Sequence, residues 1–147
     1  MKSSRIVSFA AVLGFSASAA NAANAEAAAP THCDLGTLHG TMAWSSTVLT
    51  PTGAASSGSG QESYDGKGKM RYYELSSDGV TTSTYTGTGT YTITENCVAT
   101  VVYDSEVVPW VYFVSADGEH YFWNNNQGVG HITSGRADRV SLALLVK

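Results

Sequence analysis

The sequence predicts an all-β fold, a small antiparallel up-and-down β-barrel of about eight strands, on three observations. Apolar and polar side chains alternate with a period of two through most of the chain beyond its N-terminal segment. Asp65-Gly66, Asp78-Gly79 and Asp117-Gly118 recur between these runs, and each is a dipeptide that supplies the positive φ of a tight hairpin. No window of about a dozen residues carries apolar positions at helical spacing with caps at its ends.

The alternation is plain in three places. Val140, Leu142, Leu144 and Val146 oppose Arg139, Ser141 and Ala143. Val98, Thr100 and Val102 oppose Ala99, Val101 and Tyr103, while Met70, Tyr72 and Glu74 oppose Arg71, Tyr73 and Leu75. Thr, Val and Tyr, all strand formers, are abundant throughout. The expected runs are Leu35–Ser45, Ser56–Tyr64, Lys67–Leu75, Val80–Thr86, Thr88–Thr94, Cys97–Tyr103, Trp110–Ser115, Glu119–Trp123, Gly128–Ser134 and Arg139–Val146. Some neighbours merge, notably the two around Gly87. Gly87 and Gly89 inside strand patterns read as bulges or tight bends. Glu95-Asn96 and Asn124-Asn125-Asn126 read as further turns, and Thr50–Gly60 (TPTGAASSGSG) as a flexible loop. Hairpin-joined strands in this number close most economically as a barrel, which removes exposed edges; a two-sheet sandwich is the alternative.

The first residues divide the chain into functional parts. Lys2 and Arg5 make a positive start, Ile6 to Phe15 is apolar, and an Ala/Ser/Asn tail follows. The apolar run is too short to span roughly 30 Å of hydrocarbon, so residues 1–25 read as a signal peptide. Cleavage is expected after Ala25, with a second A-x-A site ending at Ala22. Residues 26–32 form a flexible lead with Pro30, and residues 33–147 a single β-barrel domain. The protein is therefore expected outside the cytoplasm, in a periplasm or in the medium, with no membrane span once the signal is removed.

Charge narrows the partners. The chain has eight Lys and Arg and twelve Asp and Glu; losing Lys2 and Arg5 leaves six bases against twelve acids, a net charge of −6. Nucleic acid and anionic membrane surfaces reward clustered bases, so neither is expected as a partner. The one basic cluster, Lys67 to Arg71, lies beside Asp65 and Glu74 and reads as a solvated turn and strand face. Two cysteines in an exported chain pair most simply, Cys33 with Cys97, free thiols being the alternative. Such a bridge looks structural, not catalytic.

Tyr85 to Val101, with its Gly-Thr-Tyr-Thr-Ile run, Glu95-Asn96 turn and following Cys97, resembles a pattern of small exported bacterial proteins. Tyr64-Asp65-Gly66-Lys67-Gly68-Lys69 fits that group's Phe-Asp-Gly-x-Gly hairpin, Cys33-Asp34-Leu35 with Gly40-Thr41 looks like its first strand, and Ser134-Gly135-Arg136-Ala137 like its closing one. The group has the look of lipocalin-like or allene-oxide-cyclase-like barrels. Val98-Ala99 stand where that pattern has Thr-Gly. The resemblance implies a barrel and a disulfide; it carries no catalytic residue with it.

Chemistry is sparse in the sequence. His32, His39, His120 and His131 lack the spacing of a zinc site, although His120 and His131 on adjacent strands would face each other as a metal-binding pair. Asp117, Glu119 and His120 diverge around a hairpin tip. There is no Gly-x-Ser-x-Gly elbow and no phosphate loop. Asp104 and Glu106 are the nearest carboxylate pair, flanking a loop before Pro109. No catalytic residue, metal or cofactor is expected. The aromatics are more suggestive, since Trp110, Tyr112, Phe113, Tyr121, Phe122 and Trp123 fall on two runs joined by one turn. One face of that hairpin fills a core and the other meets loops, a ligand or a partner.

The leading functional expectation is non-catalytic binding of a small apolar or aromatic molecule in the lumen, with Tyr72, Tyr85, Tyr91, Trp110, Tyr112, Tyr121 and Trp123 as its wall. A structural or protein-interaction domain of the cell envelope or secretome is the alternative, and would have a filled interior and an apolar patch on the outside of the aromatic hairpin. A cyclase- or isomerase-type barrel enzyme is the second, and would need an open pocket with an inward acid or histidine of shifted pKa.

Overall fold

A computed structural model of the protein describes residues 32–126 and 131–145. The expected signal segment and most of the expected lead lie outside them, as do the start of the expected run Gly128–Ser134 and the end of Arg139–Val146. Eight strands follow one another in order and close on themselves: β1 (His39–Leu49), β2 (Ala55–Asp65), β3 (Lys69–Ser77), β4 (Thr82–Ile93), β5 (Val98–Tyr103), β6 (Trp110–Val114), β7 (His120–Asn126) and β8 (Ile132–Ser141). Every neighbouring pair is antiparallel, and β8 returns to β1 with one register shift at Thr41/Met42. The up-and-down barrel is thus the architecture, not the sandwich. Closure leaves no strand edge unpaired.

The hairpins form where positive φ is available, at Gly66, Gly79 and Gly118. The β4–β5 turn is different. Thr94 and Val98 bracket a three-residue loop whose last member, Cys97, takes φ 60° in the region usually left to glycine. Its sulfur bonds to Cys33, closing a separation of 64 residues. The bridge pins the incoming chain to the barrel end, where Asp34 caps a 3-10 turn over Leu35–Thr37 and Leu38 is fully buried. Tyr91 donates its hydroxyl to the carbonyls of Leu35 and Leu38 at 2.9 Å each, so this end is plugged. Arg139 seals its flank through Glu119 (2.9 Å) and the carbonyls of Thr37 and Gly118.

Several expected boundaries move, for one physical reason. Inward aromatic rings need a flat seat across the sheet, and glycine provides it. Trp44 is directly opposite Gly60, Tyr72 opposite Gly87, Met70 opposite Gly89 and Trp123 opposite Gly135. A Cβ at Gly87 would stand 2.6 Å from the Tyr72 ring, and one at Gly135 2.2 Å from the Trp123 ring. Ala55–Gly60 is therefore strand, not the end of a flexible loop, because its glycines at 58 and 60 carry the Trp44 indole. Gly87 and Gly89 pair in continuous register and make no bulge, so the two runs around them are one strand. β8 likewise runs unbroken through Gly135 where two separate strands are expected. Leu142 and Leu144 lie beyond it and are exposed, so the alternation read there is not a buried strand. Asn124–Asn126 belongs to β7 rather than to a turn, and the first strand begins at His39 rather than Leu35.

Two outcomes are expected. Replacing both cysteines with serine should lower unfolding stability by up to about 4 kcal/mol, the loop-entropy term for a bridge of this length, read as a denaturant midpoint. Gly135→Ala should lower it by roughly 1–3 kcal/mol through overpacking against Trp123, with a shifted near-ultraviolet tryptophan signal in the folded protein.

Candidate functional site

The lumen has two halves. Towards the plugged end Met42, Tyr64, Met70, Tyr91 and Tyr121 pack solidly with Leu38. At mid-height the alternation of β2 turns Glu62 inward, and this carboxylate is 3% exposed. No lysine or arginine reaches it. Four phenols do instead: Tyr64 and Tyr121 (2.5 Å) donate to Oε2, Tyr103 and Tyr112 (3.4 Å) to Oε1. The Tyr103 and Tyr112 hydroxyls also meet at 2.6 Å. Tyr112 and Tyr121 lie stacked with ring centroids 4.7 Å apart, which places their hydroxyls side by side under the acid.

Burial pushes the Glu62 carboxyl above its ordinary value of 4.5, and the tyrosine hydrogen bonds oppose that rise only in part. The same burial, with the nearby Glu62 charge, holds the hydroxyls of Tyr64, Tyr103, Tyr112 and Tyr121 well above 10, so they remain protonated donors. Four phenols converge on this acid, but the Tyr103–Tyr112 contact at 2.6 Å takes up one of their four protons, so three hydrogen bonds reach a carboxylate with about four lone-pair sites.

Above Glu62 the barrel is open. A cavity of about 450 Å³ extends from it to the rim at the far ends of β1, β2 and β3. Its wall is aromatic, with Trp44, Tyr72, Tyr85, Tyr103, Trp110 and Trp123 around it. All three tryptophans of the chain stand in this wall. They pack edge to face, Trp44 on Trp123 at 6.0 Å and Trp110 on Trp123 at 6.5 Å. The indole N–H groups of Trp44 and Trp123 have no hydrogen-bond partner among the described residues.

Two further acids join the wall. Glu74 on β3 is opposite Gly60 on one side and Tyr85 on the other. Glu106, in the β5–β6 loop, accepts from the Trp110 indole at 2.5 Å. Burial, and then the charges of Glu106 and Glu62, raise the Glu74 carboxyl above 4.5. Glu106 thus keeps company with these two and not with Asp104, which bonds Thr88.

Of the expected wall residues, the structure brings Tyr72, Tyr85, Trp110, Tyr112 and Trp123 to the cavity. Tyr121 lies under its floor, and Tyr91 belongs to the plugged end. Trp44, Glu62, Glu74, Tyr103 and Glu106 complete the site and were not singled out for it by sequence. The histidines do not assemble. His120, at the start of β7, pairs with Asp138 at 2.8 Å, while His131 lines the cavity at the opposite rim, so the two do not face each other. Among the described residues no group of three or more metal-ligating side chains forms. Outside the barrel, Phe113 and Phe122 stack on each other at 5.2 Å and stay half-exposed.

No family model matches the chain, and no curated protein matches it.

The buried acid sets a dependence of stability on pH. A folded-state pKa raised above the unfolded value gives stability that is full below about pH 4.5 and lost as pH rises through the folded value. Asp78, Asp117 and Asp138, held below 3.8 by local hydrogen bonds, act oppositely and only in stronger acid. Denaturant midpoints should therefore rise as pH falls from neutrality towards 4.5, then drop below 3.8. Glu62→Gln should flatten the rise, leaving only the part due to Glu74. Glu62→Ala, which strips several buried phenols of their acceptor, should cost roughly 3 kcal/mol or more.

Proposed function

We propose that the protein is an exported, non-catalytic binding barrel that takes one small molecule with an apolar or aromatic body into its upper lumen. The observation that carries the reading is the aromatic-walled cavity of about 450 Å³. That size falls among ordinary ligand pockets, and the wall joins large aromatic rings to polar groups that can fix a ligand's orientation. The plugged end supports it too, because a rigid floor leaves the rim as the single way in. An oxidising compartment fits the Cys33–Cys97 bridge, and the signal-like N-terminal segment fits export.

An interaction domain with no small ligand would have a filled interior and an apolar patch outside the aromatic hairpin; the exposed Phe113 and Phe122 pair fits the second, but the open upper half of the lumen does not fit the first. The cyclase or isomerase reading finds inward acids of raised pKa in Glu62, which phenols surround, and in Glu74, which lines the open cavity. Turnover would draw on Glu74 as a base aimed at a substrate, whereas binding draws on the whole aromatic wall, so binding accounts for more of the site.

Because every tryptophan lines the cavity, intrinsic fluorescence reports on it directly. Titration with the neutral aromatic N-phenyl-1-naphthylamine should quench tryptophan emission saturably, with one molecule bound per chain. Ser76→Phe, which narrows the rim, should weaken that binding about tenfold without unfolding the barrel. Quenching that never saturates, in protein stripped of any retained molecule, would remove the proposal.

A further inference from the structure

Resting on the reading of the upper lumen as a ligand site, we infer that its ligand is an organic cation, an aryl-alkyl ammonium whose charged nitrogen sits between Glu74, Glu106 and the aromatic faces beside them. Acids enter this wall from two directions, β3 and the β5–β6 loop, with Glu62 beneath. No lysine or arginine stands among the lining residues, and the only other titratable group able to carry positive charge there is His131. Lys67, Lys69, Arg71, Arg136 and Arg139, the other bases of the barrel domain among the described residues, all lie elsewhere. The lumen thus confines negative charge with no counter-charge of its own.

Electrostatics of that sign rejects an anion and rewards a cation, more strongly because low-dielectric walls screen poorly. The neighbours of the acids sharpen the preference. Tyr85 is opposite Glu74 across β3 and β4, Tyr72 is one inward position below it, and the Trp110 indole is bound to Glu106. Ring faces attract an ammonium or its alkylated forms through the quadrupole of the π-system, and such cages of aromatics with an acid are suited to amine ligands. An aryl body against Trp44 and Trp123, with an ammonium towards Glu74 and Glu106, satisfies both ends of the cavity.

Three probes of one size and three charges test this: 4-phenylbutylamine, 4-phenylbutanol and 4-phenylbutyrate, each titrated at neutral pH into the intact protein by tryptophan fluorescence and calorimetry. The amine should bind at least tenfold more tightly than the alcohol, and the carboxylate more weakly than either. Glu74→Gln and Glu106→Gln, both isosteric and leaving the Glu62 cluster in place, should each lower the ratio of amine to alcohol affinity several-fold, and the two together should bring the amine close to the alcohol. Higher salt should weaken the amine alone. Equal binding of the three probes, or an amine preference untouched by both substitutions, overturns the inference while the binding reading stands. No saturable binding of any probe to a folded barrel overturns both.

Discussion

A carboxylate held at the centre of a closed sheet, without a cation, is the constraint around which the rest of this structure is arranged. Transfer of an ionised acid into a protein interior is strongly unfavourable unless its oxygens are fully hydrogen-bonded. Here the compensation comes from phenols on four different strands, β2, β5, β6 and β7. Each must reach the same two oxygens, so the four strands are fixed in height and tilt relative to one another. The network does for the middle of the barrel what a metal or an ion pair does elsewhere. It divides a packed end from an open one.

Glycine and large inward rings solve the second problem, which is how a narrow barrel holds so many aromatics. An eight-stranded lumen has room for side chains or one small ligand, not both at every level. Where a ring lies flat against the opposite strand, the strand gives up its own side chain, as Gly60, Gly87 and Gly135 do for Trp44, Tyr72 and Trp123. The aromatic surface then lines the wall instead of filling the centre. Space for a ligand above Glu62 is a result of that exchange, and the same glycines let the sheet curve.

This explains what sequence could and could not reveal. Hairpin turns are local chemistry, so Asp65-Gly66, Asp78-Gly79 and Asp117-Gly118 were legible, as was the alternation that turns Ala99, Val101 and Tyr103 inward. The aromatic run from Trp110 to Trp123 showed three of the seven aromatic residues that line the cavity for the same reason. Glycine carries two meanings, however. In the stretch before Gln61 it looks like a linker, and in β8 it looks like a break, until the ring across the sheet is known. Glu62 was hidden more deeply. A lone glutamate in a Gly/Ser-rich strand reads as solvated, and the tyrosines that justify its burial are scattered over some sixty positions of sequence. Only the barrel's register brings Tyr64, Tyr103, Tyr112 and Tyr121 to one point.

The division into two halves also assigns different demands to the two ends. Below Glu62 the disulfide, the 3-10 turn and Tyr91 hold a packed plug. Above it the wall sets Glu74, with its raised carboxyl, and Glu106 among aromatic rings, with no lysine or arginine among the lining residues. The ligand proposed for this protein would meet that upper wall alone, and the acids there would select its charge.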